Sequence, residues 1–194
     1  LAWLLAVIAL LGPSWQRFEQ PSIKRSDPLV VLLEVTPSML AADVAPTRLE
    51  QAKRKLLDLL EQYPGKHILI ETKHPSPFGP ALEEAVARAL RARGMERDPR
   101  VHLISFNPEA IERFHQLLPD LETFLLADEG FEQIGECGAG PSVRLARQQP
   151  ELLDGRFRTY VWTVNLPKDM LWLAERGASL IGTDLPHIAL ETLA

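Results

Sequence analysis

The chain has 194 residues, of which 24% are charged and 46% hydrophobic, and carries a formal net charge of −5. That length suits about one domain with a sizeable core, and an acidic balance without a basic cluster argues against a nucleic-acid partner. The single cysteine, Cys137, excludes an internal disulfide and a cysteine-based zinc site.

Residues 1–11, LAWLLAVIALL, carry no charge. They are fewer than the roughly 20 apolar residues of a membrane span. The expectation is an apolar helix and linker over 1–27. This helix either covers a gap in the fold or contacts a membrane, so the location is cytoplasmic or, alternatively, membrane-associated. From residue 28 the pattern is regular. LVVLLEV at 29–35 is a continuous apolar, β-branched run, as in a strand buried on both faces. TRLEQAKRKLLDLLEQ at 47–62 sets its leucines mostly on one stripe, and YPG ends that helix. Strand 67–72 is then followed by helix 80–93. Strand 101–106 precedes helix 108–118, with Asn107 as its cap. Strand 122–127 meets a glycine-rich loop, DEGFEQIGECGAGPS. Helix 142–153 follows, capped by Ser142. Strand 159–164 leads to helix 167–176, and strand 179–183 to a short helix at 187–193.

About six βα units with short connections predict an α/β fold with a parallel sheet and right-handed crossovers. Six is fewer than the eight of a standard barrel. The expected form is an incomplete TIM-like (β/α) barrel or an open parallel sheet over 28–194. Its exposed edges at 29–35 and 179–183 would favour self-association.

HILIETKHPSPFG at 67–79 runs from an apolar strand into an acid, a hydroxyl, a base and a histidine. Residues two apart in a strand point the same way, so Glu71 and Lys73 share one side. They stand at the C-terminal end of the strand, where parallel α/β folds keep their sites. A carboxylate there suits a hard divalent cation, and an ammonium beside it suits phosphate oxygens. An ordinary surface ion pair is the other reading of the same two residues.

ILIETKHP resembles the glycerophosphodiester phosphodiesterase family, in which a strand ends in Glu-x-Lys. The resemblance continues through VHLISFNPEAIERFHQLLPDLETFLL, GPSVRLARQQPELLD, TYVWTVN and GASLIGTDLP, over roughly 46–194. It implies a (β/α)8 barrel, a divalent metal (Mg2+ or Ca2+) and hydrolysis of small-molecule glycerophosphodiesters to an alcohol and glycerol 3-phosphate. Carried over by position, Glu71 resembles a metal ligand, Lys73 a phosphate-binding residue and Trp162 a wall of the substrate pocket. The chain departs from the family's N-terminal pattern. A His-Arg-Gly motif, a Glu-x-Asp metal pair and a second catalytic histidine do not appear, and no histidine precedes His67. His74 is the stand-in for the catalytic histidine; His67, His102, His115 and His187 are expected to be non-catalytic.

The first part resembles something else. LAWLLAVIALLGPSWQ followed by RSDPLVVLLEV is similar to bacterial inner-membrane proteins with a von Willebrand factor A domain. Glu34-Val-Thr36-Pro-Ser38 stands where such domains carry an Asp-x-Ser-x-Ser metal motif. That resemblance covers about 1–60, with 28–62 as a first βα unit, and meets the other within 46–65. It implies, as an alternative, a membrane-anchored module that captures a partner through Mg2+. A chimeric or truncated chain without activity is the third expectation.

Overall fold

The structure is a computed structural model and describes residues 41–48, 50–52, 54, 55, 58 and 66–193. The expected helix at 1–11, the strand at 29–35 and the Glu34, Thr36 and Ser38 motif lie outside the described residues. Helical backbone is present at 48, 50–52, 54, 55 and 58, within the helix expected from the leucine stripe.

The described residues form six strands: β1 (Ile68–Glu71), β2 (Val101–Ser105), β3 (Glu122–Ala127), β4 (Gly138–Pro141), β5 (Tyr160–Val161) and β6 (Leu180–Ile181). Helices alternate with them: α1 (Ala81–Arg91), α2 (Pro108–Leu117), α3 (Val143–Gln148), α4 (Pro167–Glu175) and α5 (Pro186–Leu193). A 3-10 turn at Pro150–Leu153 extends α3. The helix expected at 142–153 is thus broken, because Pro150 has no N–H to continue the α ladder.

All pairings are parallel. β1 to β4 pair in chain order, as do β5 and β6. Parallel bridges Ala139↔Thr159 and Ser142↔Trp162 join the two groups into one sheet. β4 is the departure from expectation. Its sequence, Gly138-Ala139-Gly140-Pro141, lies inside the stretch expected to be a loop. Glycine and proline weaken a strand in isolation, and here close packing demands the glycines. A Cβ at Gly138 would lie 2.5 Å from Phe124 Cδ1, and one at Gly140 2.8 Å from Leu126 Cδ2.

Strand alternation sends residues to two faces. On the outer face, Val101 and Leu103 pack with Ala87, Leu90, Phe114 and Leu118 of the α1–α2 layer. Further along, Val161 packs with Met170 and Leu173 of α4. On the inner face, Ile104, Phe124 and Leu126 form one cluster with Leu69, Tyr160, Trp162 and Leu180. Leu69 is on β1 and Leu180 on β6, the two edges among the described residues. Only a curved sheet brings side chains from both edges into one cluster. The fold is therefore a partial (β/α) barrel.

Candidate active site

Six parallel strands place their C-terminal ends on one rim. β1 ends there in Glu71, whose neighbour Thr72 is fixed to β2: its N–H donates to Ile104 O at 3.1 Å and its carbonyl accepts from Ser105 Oγ at 2.7 Å. Glu71 and Lys73 emerge together, as the alternation predicts. Lys73 Nζ lies 4.0 Å from Glu71 Oε2, with the lysine side chain 72% exposed and the glutamate 17%. An ion pair so long and so wet holds its lysine weakly. The ammonium can turn to an anion at the rim.

Trp162 follows directly after β5. Its Nε1 donates to Gly140 O at 2.7 Å. Phe106, 50% exposed after the end of β2, meets it edge-on with ring centroids 5.2 Å apart. The stretches TYVWTVN and GASLIGTDLP come together here: Asn165 Nδ2 donates to Asp184 Oδ2 at 2.9 Å, while Thr183 Oγ1 and the Asp184 N–H donate to Asn165 Oδ1 at 3.0 and 2.9 Å. Tyr160 lies two residues before Trp162, on the same face. Burial, then the charges of Glu71 and Asp184, push its phenol above the ordinary value, so its oxygen carries a proton at neutral pH. Phe106, Tyr160, Asn165 and Asp184 were not among the residues expected from sequence. The alternation that paired Glu71 with Lys73 would have found Tyr160 from Trp162.

His74 also lies at this end. Its Nε2 is 2.8 Å from Glu83 Oε1, and Arg113 Nη1 donates to Glu83 Oε2 at 2.8 Å. The Glu83 side chain is fully buried. A carboxylate can be buried there because both oxygens are paired. This cluster ties the loop after β1 to α1 and α2. A shallow depression of about 490 Å3 opens beside it, lined by His74, Ser76, Phe106 and Asn107.

The other histidines on β-strand starts belong to the opposite end. His67 Nδ1 lies 2.8 Å from His102 Nε2, and His102 Nδ1 lies 2.8 Å from Glu122 Oε2. The His102 contact, and Arg158 beside it, hold the Glu122 carboxyl below its usual range against the opposing effect of burial. His115 Nε2 is 2.7 Å from Thr123 Oγ1. A larger depression, about 650 Å3, lies on this side, lined by His115, Glu122, Cys137 and Arg158 among others. Size does not make it the better candidate. In parallel barrels this face contributes stability and the other carries chemistry. Burial raises the Cys137 thiol above its ordinary value, so it is a poor nucleophile.

Glu71 is the sequence-predicted metal ligand. Among the described residues no group of three or more His, Cys, Asp or Glu side chains could hold a metal ion. One carboxylate does not make a cation site, so these residues do not fit a metal by themselves. Among the described residues no helix is long and apolar enough to cross a membrane.

No family model matches the chain. It is 30% identical over 158 residues to a glycerophosphodiester phosphodiesterase of Bacillus subtilis, a match covering 69% of this chain and 51% of that protein. It is 29% identical over 136 residues to a probable glycerophosphodiester phosphodiesterase 1 of Mycobacterium tuberculosis, covering 61% and 49%. The chain thus spans about half the length of the curated relatives it matches. The fold is similar to a crystal structure of a glycerophosphodiester phosphodiesterase from Parabacteroides distasonis, with TM-score 0.60 and 22% identity over 73% of this chain and 63% of that one. It is also similar to an Oleispira antarctica phosphodiesterase in complex with the product sn-glycerol-3-phosphate, with TM-score 0.59 and 18% identity over 70% and 58%. In sequence the likeness is to glycerophosphodiester phosphodiesterases, and the parallel α/β fold matches that of their solved structures.

Proposed function

We propose that this chain carries part of the active site of a glycerophosphodiester phosphodiesterase, hydrolysing a glycerophosphodiester to an alcohol and glycerol 3-phosphate. The observation that carries the reading is the meeting at one rim of Glu71, Lys73, Trp162 and the Asn165–Asp184 pair. Each comes from a stretch whose order and spacing resemble that family.

In this reading Lys73 neutralises phosphate oxygens as the diester binds and as charge gathers in the transition state. Trp162 and Phe106 form an apolar wall against the carbon skeleton of the substrate. Asn165 orients Asp184 and fixes the loop after β6. Glu71 is the carboxylate among the described residues that would contribute to holding Mg2+ or Ca2+. Such a cation would polarise the phosphoryl oxygens. His74 is the imidazole the sequence offers for proton transfer. Its bond to Glu83 supports a second role, anchoring the loop that carries Lys73.

The test is hydrolysis of glycerophosphocholine by the purified chain with Mg2+ or Ca2+, and with a chelator as control. Chelator-sensitive turnover is expected. Lys73→Ala is expected to cut kcat/KM by about tenfold or more, as for loss of a charge-assisted contact of roughly 1.5–3 kcal/mol. A cooperatively melting chain without turnover, or one whose turnover survives Glu71→Ala unchanged, would overturn the reading.

A further inference from the structure

Tyr160 occupies a space that the neighbouring strand keeps open for it. Its Cα is paired with Leu180 on β6. Its ring belongs to the inner cluster with Leu69, Phe124, Trp162 and Leu180. The ring lies against Gly182, the residue after β6: a Cβ there would lie 2.5 Å from the Tyr160 hydroxyl oxygen and 3.0 Å from Cε2 and Cζ. Gly182 is not among the glycines with positive φ, so its backbone does not demand glycine. The phenol does.

The hydroxyl is not needed for this packing. A phenylalanine ring would fill the same cluster and keep the tilted contact with Phe124, whose centroid is 6.2 Å away. The oxygen instead stands where the charges of both Glu71 and Asp184 reach it. Asp184 Oδ2 already accepts from Asn165, and Glu71 has Lys73 at 4.0 Å. The Tyr160 hydroxyl makes no hydrogen bond among the described residues. A polar group placed this way, beside the functional rim and without a protein partner, is available to a ligand.

We propose that Tyr160 is a ligand-binding residue whose hydroxyl donates to an oxygen of a phosphorylated polyol at the rim, and that Gly182 is the positioning residue that makes room for it. The ligand class rests on the phosphodiesterase reading; the placement of the phenol does not. Lys73, two residues after β1, and Tyr160, on β5, would then be donors from separate strands of the described sheet to one bound molecule.

The experiment is calorimetric titration of the full chain with sn-glycerol 3-phosphate and, separately, with inorganic phosphate. Loss of one neutral hydrogen bond is expected to weaken sn-glycerol 3-phosphate by about three- to tenfold in Tyr160→Phe, with the melting temperature unchanged. Gly182→Ala displaces the phenol and is expected to weaken binding similarly. The double variant should lose no more than the weaker single variant, since both changes remove one contact. Equal weakening toward inorganic phosphate would assign the bond to a phosphoryl oxygen, and weakening of sn-glycerol 3-phosphate alone to a polyol hydroxyl. Wild-type affinity in Tyr160→Phe would overturn the proposal and leave the phosphodiesterase reading standing. A folded wild-type chain that binds neither compound would overturn both. If Gly182→Ala does not fold, Tyr160→Phe decides alone.

Discussion

At the scale of single residues, charge and alternation made the rim legible and close neighbours did not. Glu71 and Lys73 could be placed together because a strand has period two. The Asn165–Asp184 bond joins residues from different βα units, and no local pattern announces it. His74 was legible as a rim residue, while its attachment to Glu83 was not, since that depends on how α1 packs. Asp98 shows how a local charge pair enters stability. Arg100 donates to both Asp98 oxygens. These bonds first, against burial, bring the Asp98 carboxyl down from 3.8 to about 2. A carboxyl lowered on folding stabilises the protein above its unfolded value and loses that contribution as pH falls through the folded one. The window is therefore from about pH 4 down to about pH 2. Asp98→Asn is expected to cost on the order of 1 kcal/mol at pH 7, as for a partly exposed pair. Urea unfolding curves of parent and variant should converge below pH 2.

At the scale of elements, the N-terminal caps of α2 and α3 were read well from sequence. Asn107 accepts from the Ala110 N–H at 3.1 Å, with Pro108 at the first helical position, and Ser142 accepts from the Leu145 N–H at 3.1 Å. Both caps act through residues three apart in sequence, so local order suffices to find them. Asn107→Ala is expected to cost about 1 kcal/mol in unfolding free energy. The strand β4 could not be read the same way. Its glycines are required by Phe124 and Leu126, side chains from β3 that become neighbours only after the sheet forms. Glu83 in α1 is a stronger case of an element depending on distant partners. Glu83→Ala leaves Arg113 and His74 without their shared carboxylate. By the cost of breaking a buried pair, it should lower stability by about 3–5 kcal/mol in urea unfolding.

At the scale of the whole molecule, the alternation of strands and helices announced a parallel α/β sheet, and that is what forms. Curvature was expected as one of two forms, a partial barrel or an open sheet; the choice between them was not legible, because it depends on how inner side chains from β1 and β6 meet. Phe124, with no exposed surface, sits at the centre of that meeting. The sheet edges among the described residues are β1 and β6; β6 is the edge expected at 179–183, and the other expected edge, 29–35, lies outside the described residues. The glycines of β4 have a further consequence for how this chain can change over time. A protein interior usually tolerates exchange in both directions, a larger side chain here balanced by a smaller one opposite. At 138 and 140 there is no smaller residue to choose. Every substitution there adds volume, toward Phe124 at one position and toward Leu126 and the Leu125 backbone at the other. Phe124 is in turn free to shrink only by opening a void that β4 has no atoms to fill. The pair can drift only together, so the two strands should diversify as a unit while the helices around them vary independently.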